Sequence, residues 1–191
     1  MEHFIDIPKD FHSDGDGKPF ENCLMCGKDL LSNDTTYVVE KAMKNYDEYE
    51  FSTTIYEYAI CSECHTEMQS KMSKESLSNL QAYYQAKVSD AGKQTVAIDL
   101  RNFDLKGWLS KCFFTEKPVE EMKEYQLVAQ FKGNKMLMNM PPMVIGEDII
   151  NDMADLLSNE TIDEMNGFKE KFLGPPPEFE EFIYGRRLIL I

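Results

Sequence analysis

The sequence predicts an α+β fold of two related units, each a cysteine-bearing knuckle, a β-hairpin and two helices. Three observations predict it. Two C-x-x-C pairs, Cys23/Cys26 and Cys61/Cys64, bracket a stretch rich in β-branched and aromatic residues. A capped helical pattern at Ser73–Val88 returns at Ser158–Leu173, 85 residues on. A fifth cysteine, Cys112, stands alone in a segment that otherwise reads like the first pair.

The first knuckle is C-L-M-C-G-K, Cys23–Lys28, where Gly27 suits a tight turn because positive φ costs it no Cβ clash. Thr35–Met43 and Ser52–Ile60 alternate in part and carry strand-forming side chains, so they predict a hairpin closed by the acidic K-N-Y-D-E-Y-E. After the second pair, C-S-E-C-H, Met68 and Met72 stand four apart as on one helix face. Ser73 caps a further helix whose Leu77, Leu80 and Tyr84 share a face.

Two residues between cysteines let both sulfurs turn onto one tetrahedral zinc. Cys23, Cys26, Cys61 and Cys64 therefore predict one structural Zn2+ in a closed shell of four sulfurs, with no open position for catalysis. Disulfides, a redox pair and plain core thiols are the alternatives for the same residues. His65 is either a helix-start residue beside the site or a substitute ligand. The order of knuckle, hairpin and cysteine pair at a helix start resembles the treble-clef and zinc-ribbon class of four-cysteine modules. The resemblance covers about residues 20–72. It implies zinc at the helix N-terminus and leaves the function open, since that architecture serves many tasks.

The second half repeats the order. Ser158, Glu160, Thr161, Ile162, Met165 and Phe168 fall on Ser73, Glu75, Ser76, Leu77, Leu80 and Tyr83. Upstream, E-Y-Q-L-V-A-Q-F and K-M-L-M-N-M flank K-G-N, a hairpin signal. C-F-F-T-E-K before it keeps the first cysteine and the lysine of C-L-M-C-G-K, with a register shift of four residues that a shorter hairpin absorbs. The second cysteine pair would fall near Val144–Glu147, where none remains. Residues 1–92 are thus expected to form the zinc-binding unit, and 93–191 a degenerate, metal-free repeat ending in an acidic region. Cys112 becomes a buried residue packed by Trp108, Phe113 and Phe114; the three histidines, His3, His12 and His65, all lie in the other half, leaving it no base.

Smaller features read plainly. S-D-G-D-G-K at Ser13–Lys18 is a turn, not a calcium loop, because position twelve counted from Asp14 is Met25. Met136, Met138 and Met140 alternate as on a strand face. Gly174 and the three prolines after it end a helix, a short acidic helix follows, and R-R-L-I-L-I makes an edge strand, with a peptide offered to a partner as the alternative.

Charge bounds the partners. The net charge of -14 is shared by both halves, which disfavours nucleic acid. Arg101–Lys135 is the least acidic window and holds only scattered bases. No run reaches the roughly 20 apolar residues of a membrane span, and the N-terminus lacks the pattern of a secretory signal, so the expectation is a cytoplasmic protein. The expected function is a non-catalytic, zinc-stabilised adaptor that binds another protein, with a basic partner favoured by charge. The alternative is an acidic inhibitor or immunity-like protein that uses the 147–181 region, including Glu147, Asp148, Asp152 and Asp155, to occlude a basic site. A nucleic-acid-binding zinc protein is the lesser alternative.

Overall fold

The computed structural model describes residues 3–46, 49–90 and 103–174. Among them six strands form one antiparallel sheet: β1 (Phe4–Asp6), β2 (Thr36–Tyr46), β3 (Tyr49–Cys61), β4 (Glu124–Lys132), β5 (Lys135–Leu137) and β6 (Met143–Gly146). The order is β1-β5-β4-β2-β3, with β6 also on β4. The predicted strands around Thr35–Met43 and Ser52–Ile60 are β2 and β3. At the centre β2 and β4 pair antiparallel, from Thr36↔Lys132 to Lys44↔Glu124, so strands from both halves of the chain share one sheet.

The return strand of the second hairpin is broken. Gly133, at φ 54°, makes the turn, but β5 ends at Leu137 and the chain resumes on β4 only at Met143. Pro141 and Pro142 in the gap have no N–H to donate to a ladder. The methionine alternation therefore stops short of the expectation: Met136 and Met138 are buried, while Met140 lies 44% exposed.

One face of the sheet carries Tyr37 stacked on Phe131 with centroids 5.2 Å apart, and Phe11 of the N-terminal segment edge-on to Phe131. The turn at Ser13–Lys18 rests on this face through Asp14, which binds Lys41 at 2.6 Å; the turn closes on itself by Ser13 N–H to the Lys18 carbonyl. The opposite face presents Tyr56, Tyr58 and Gln126, and Phe168 meets Tyr58 edge-on at 5.7 Å.

Five α-helices are described: α1 (Ser62–Lys71), α2 (Lys74–Asp90), α3 (Leu105–Trp108), α4 (Glu147–Ala154) and α5 (Asn159–Phe172). The predicted caps form. Ser73 Oγ accepts from Ser76 N–H at 3.1 Å, and Ser158 Oγ from Thr161 N–H at 3.3 Å. The two caps also meet each other. Ser73 N–H donates to Thr161 Oγ1 at 3.0 Å, Ser158 N–H to Ser76 Oγ at 2.9 Å, and the two capping hydroxyls lie 2.9 Å apart. Each helix start thus satisfies backbone donors of the other. This contact turns α2: Ser76 is fully buried, while Leu77 and Tyr84 of the expected apolar face stay 36% and 39% exposed. Helix α5 ends at Phe172 with Leu173 at its C-cap. The boundary expected at 92/93, the acidic helix and the R-R-L-I-L-I strand lie outside the described residues.

Candidate metal centre

Cys23 and Cys26 sit on a knuckle whose ends are bridged at Asn22↔Asp29. Within it Cys23 N–H donates to the Lys28 carbonyl at 2.9 Å, Gly27 N–H to the Cys23 carbonyl at 2.8 Å, and Gly27 takes φ 72°. Leu24 N–H reaches the Ala59 carbonyl on β3 at 2.9 Å, which holds the knuckle beside the strand that carries the second pair. Cys61 closes β3 and is the N-cap of α1, and Cys64 lies in the first turn of that helix. The thiols therefore sit at the positive end of a helix dipole, which favours thiolates.

The four sulfurs, from Cys23, Cys26, Cys61 and Cys64, lie within 4.8 Å of one another. Cys26 and Cys61 are 3.7 Å apart. Four sulfurs at about 2.3 Å from one tetrahedral ion would stand about 3.8 Å from each other, so the set fits such an ion, zinc being the metal that this donor set suits. Cys23, Cys61 and Cys64 are buried; Cys26 is exposed. His65 is outside this cluster, and burial lowers its pKa.

The electrostatics of the four thiols would suit a cation between them. Burial raises the Cys23 thiol, but N–H groups of Cys61, Cys26 and Met25 outweigh it and bring the pKa down to about 7. Burial pushes Cys61 up to about 11 and Cys64 further still. Without a metal the crowded thiols cannot all ionise, so metal binding must release protons, and affinity falls as pH drops. Lys28, given no role by the sequence, ties the knuckle to α1 by binding Glu63 at 2.7 Å, and holds that carboxyl down to about 2.

The segment around Cys112 takes the same hydrogen bonds. Cys112 N–H donates to the Lys117 carbonyl at 2.8 Å and Glu116 N–H to the Cys112 carbonyl at 3.0 Å, with Glu116 at φ 60° where the first knuckle has Gly27. Phe113 N–H reaches the Val144 carbonyl at 2.7 Å, as Leu24 reaches Ala59. Lys117 binds Asp148 at 3.7 Å and Glu147 at 3.4 Å, as Lys28 binds Glu63. The helix after β6 has Gly146 at its N-cap where α1 has Cys61, and Ile149 where α1 has Cys64. A Cβ at Gly146 would come within 2.9 Å of the Met122 sulfur and 3.9 Å of Cys112 Cβ. Met122 and Cys112, both buried, thus fill the interior of this knuckle with apolar atoms. Trp108 and Phe113 pack beside it, 6.1 Å apart.

The acids of α4 are engaged internally. Glu147 accepts Glu124 N–H at 2.6 Å, and Asp152 accepts the Tyr83 hydroxyl at 2.7 Å with Lys87 at 3.7 Å. Among the described residues no helix is long and apolar enough to cross a membrane. No family model matches the chain, and no curated protein or solved structure matches it either.

Proposed function

We propose that the chain is a non-catalytic protein-interaction module made of two related knuckle–hairpin–helix–helix units, the first built on one zinc ion and treble-clef-like, the second closed without metal. The observation that carries the reading is the cluster of four sulfurs within 4.8 Å, which joins the knuckle to the end of β3 and the start of α1. Cys23, Cys26, Cys61 and Cys64 would fill all four positions of the ion, so zinc there supplies rigidity and folding free energy. The matching hydrogen bonds of the Cys23 and Cys112 knuckles, and the reciprocal caps of α2 and α5, support the two-unit part.

With the metal confined to architecture, function falls to the surface. Exposed Tyr46, Phe51, Leu77, Tyr84 and Met140 on a chain of net charge -14 support binding to a partner that is apolar in part and basic. An acidic inhibitor would share that charge, and would differ by losing its partner steeply as salt rises.

Metal analysis of protein purified under reducing conditions tests the reading. One zinc per chain is expected, with tetrahedral four-thiolate spectra when cobalt replaces it. Cys23→Ser should abolish tight binding and cost the first unit a large share of a folding contribution on the order of 10 kcal/mol. Folded protein with no bound zinc would overturn it.

A further inference from the structure

A groove of about 370 Å³ runs between the first knuckle, α1 and α5. Met25, Met68, Met165 and Phe168 line it with thioethers and an aromatic ring, and Cys26 and Cys64 reach its wall. Glu67, Asp163 and Glu164 border it against Lys71 and Lys171. A zinc ion held by four thiolates carries a net charge of about -2, so the loaded groove is distinctly negative.

The corresponding place in the second half is closed by the chain's own side chains. There Phe114 stands for Met25 and meets Tyr84 edge-on at 5.7 Å. Asp152 stands for Glu67, each being the sixth residue of its helix. Asp152 receives the Tyr83 hydroxyl at 2.7 Å and the Lys87 ammonium at 3.7 Å. At the groove those two positions are Phe168 and Phe172 of α5, which carry neither hydroxyl nor charge. Glu67 pairs instead with Lys71, one turn along its own helix at 3.2 Å, an exposed contact of little energy. Gly167, where α2 has Ala82, keeps the wall of α5 low: a Cβ there would meet nothing within 4 Å.

We propose that this groove docks a segment of a partner protein that offers a lysine or arginine to Glu67 and an aromatic or methionine side chain to the thioether floor. The incoming groups supply what Tyr83 and Lys87 supply across the molecule. Methionines suit such a floor because their unbranched, polarisable chains adapt to the ring they receive, and the acidic border selects the basic residue. The proposal rests on the two-unit reading, which fixes the comparison with Asp152.

The test pans a phage-displayed library of random peptides on the zinc-loaded full chain, then measures the selected peptides by fluorescence anisotropy. Enriched sequences should place Lys or Arg within a helical turn of Phe, Tyr, Trp or Met. Labelled methionine methyl groups of Met25, Met68 and Met165 should shift on binding. Glu67→Lys should weaken the complex by about tenfold or more, the size expected for losing a charged hydrogen bond. Gly167→Trp, which fills the groove while removing a helix-weakening glycine, should abolish it with the fold intact by circular dichroism. No enrichment, enrichment of acidic peptides, or binding indifferent to both variants would overturn the proposal. The two-unit reading is judged separately, by whether a metal site can be restored in the second knuckle. Peptide binding without that restoration keeps the groove and discards the comparison.

Discussion

Lys41 shows how a single residue ties the N-terminal segment to the sheet. Its side chain is only 3% exposed, and its ammonium reaches Asp14 at 2.6 Å, Glu57 at 3.1 Å and the His12 carbonyl at 2.8 Å. Removing one partner from a buried charged cluster leaves the others without compensation, so Lys41→Ala should cost about 3 kcal/mol. Urea denaturation at neutral pH measures that loss. Burial raises the Asp14 carboxyl, but hydrogen bonds from Lys41 and Thr54 and the charge of Lys41 outweigh it, so its pKa lies below the usual carboxylate value. A carboxyl depressed in the folded state contributes stability above its unfolded pKa of about 3.9 and loses it as pH falls through the folded value. Stability of the native chain should therefore decline below pH about 4, and Asp14→Asn should flatten part of that decline. The sequence offered no sign of this cluster. A lysine inside a strand pattern reads as an outward residue, and only the fold over it by Ser13–Lys18 buries it.

At the scale of elements, the knuckles at Cys23 and Cys112 share a backbone geometry. Both are closed by the same backbone hydrogen bonds, and they differ in what fills them: four sulfurs in one; Cys112, Met122 and Ile149 in the other. Apolar packing can replace a metal because it removes the buried thiols that would otherwise need a cation. The proposed relation predicts that Thr115→Cys, Gly146→Cys and Ile149→Cys, combined with Met122→Ala to clear the 2.9 Å contact, should give a chain that binds a second zinc. A folded variant that still binds one would sink the relation. Much here was legible beforehand, since C-x-x-C spacing, the lysine after each knuckle and the caps at Ser73 and Ser158 are local signals. Less legible was the partner of each cap. Ser73 and Ser158 each predict a helix start, but their contact with one another depends on how the two helices are brought together.

On the scale of the whole molecule, the pairing of β2 with β4 joins residues from both sides of residue 92 in one sheet. Burial and backbone hydrogen bonding along that seam should make unfolding cooperative across it. Trp108, the chain's single tryptophan, reports on this from the half without the four-cysteine cluster, where its Nε1–H donates to the Pro142 carbonyl at 2.6 Å. Chelating the metal should lower the denaturation midpoint followed by Trp108 fluorescence together with that followed by far-UV circular dichroism. A Trp108 transition unmoved by the chelator would show that the seam transmits nothing.

By itself the sequence determined the kinds of element and the four cysteines that cluster, because these depend on neighbours a few residues away: alternation for β2 and β3, side-chain caps for α2 and α5, and two short cysteine spacings. It also marked Cys112 as the residue to compare with Cys23. Only the tertiary structure decided which faces were buried and which pairs met. The broken strand at Pro141–Pro142, the buried Lys41, the outward turn of Leu77 and Tyr84, and the groove beside Cys26 and Cys64 all arise where segments far apart in sequence pack together. Such contacts set burial and electrostatics through geometry, and no local pattern along the chain encodes that geometry.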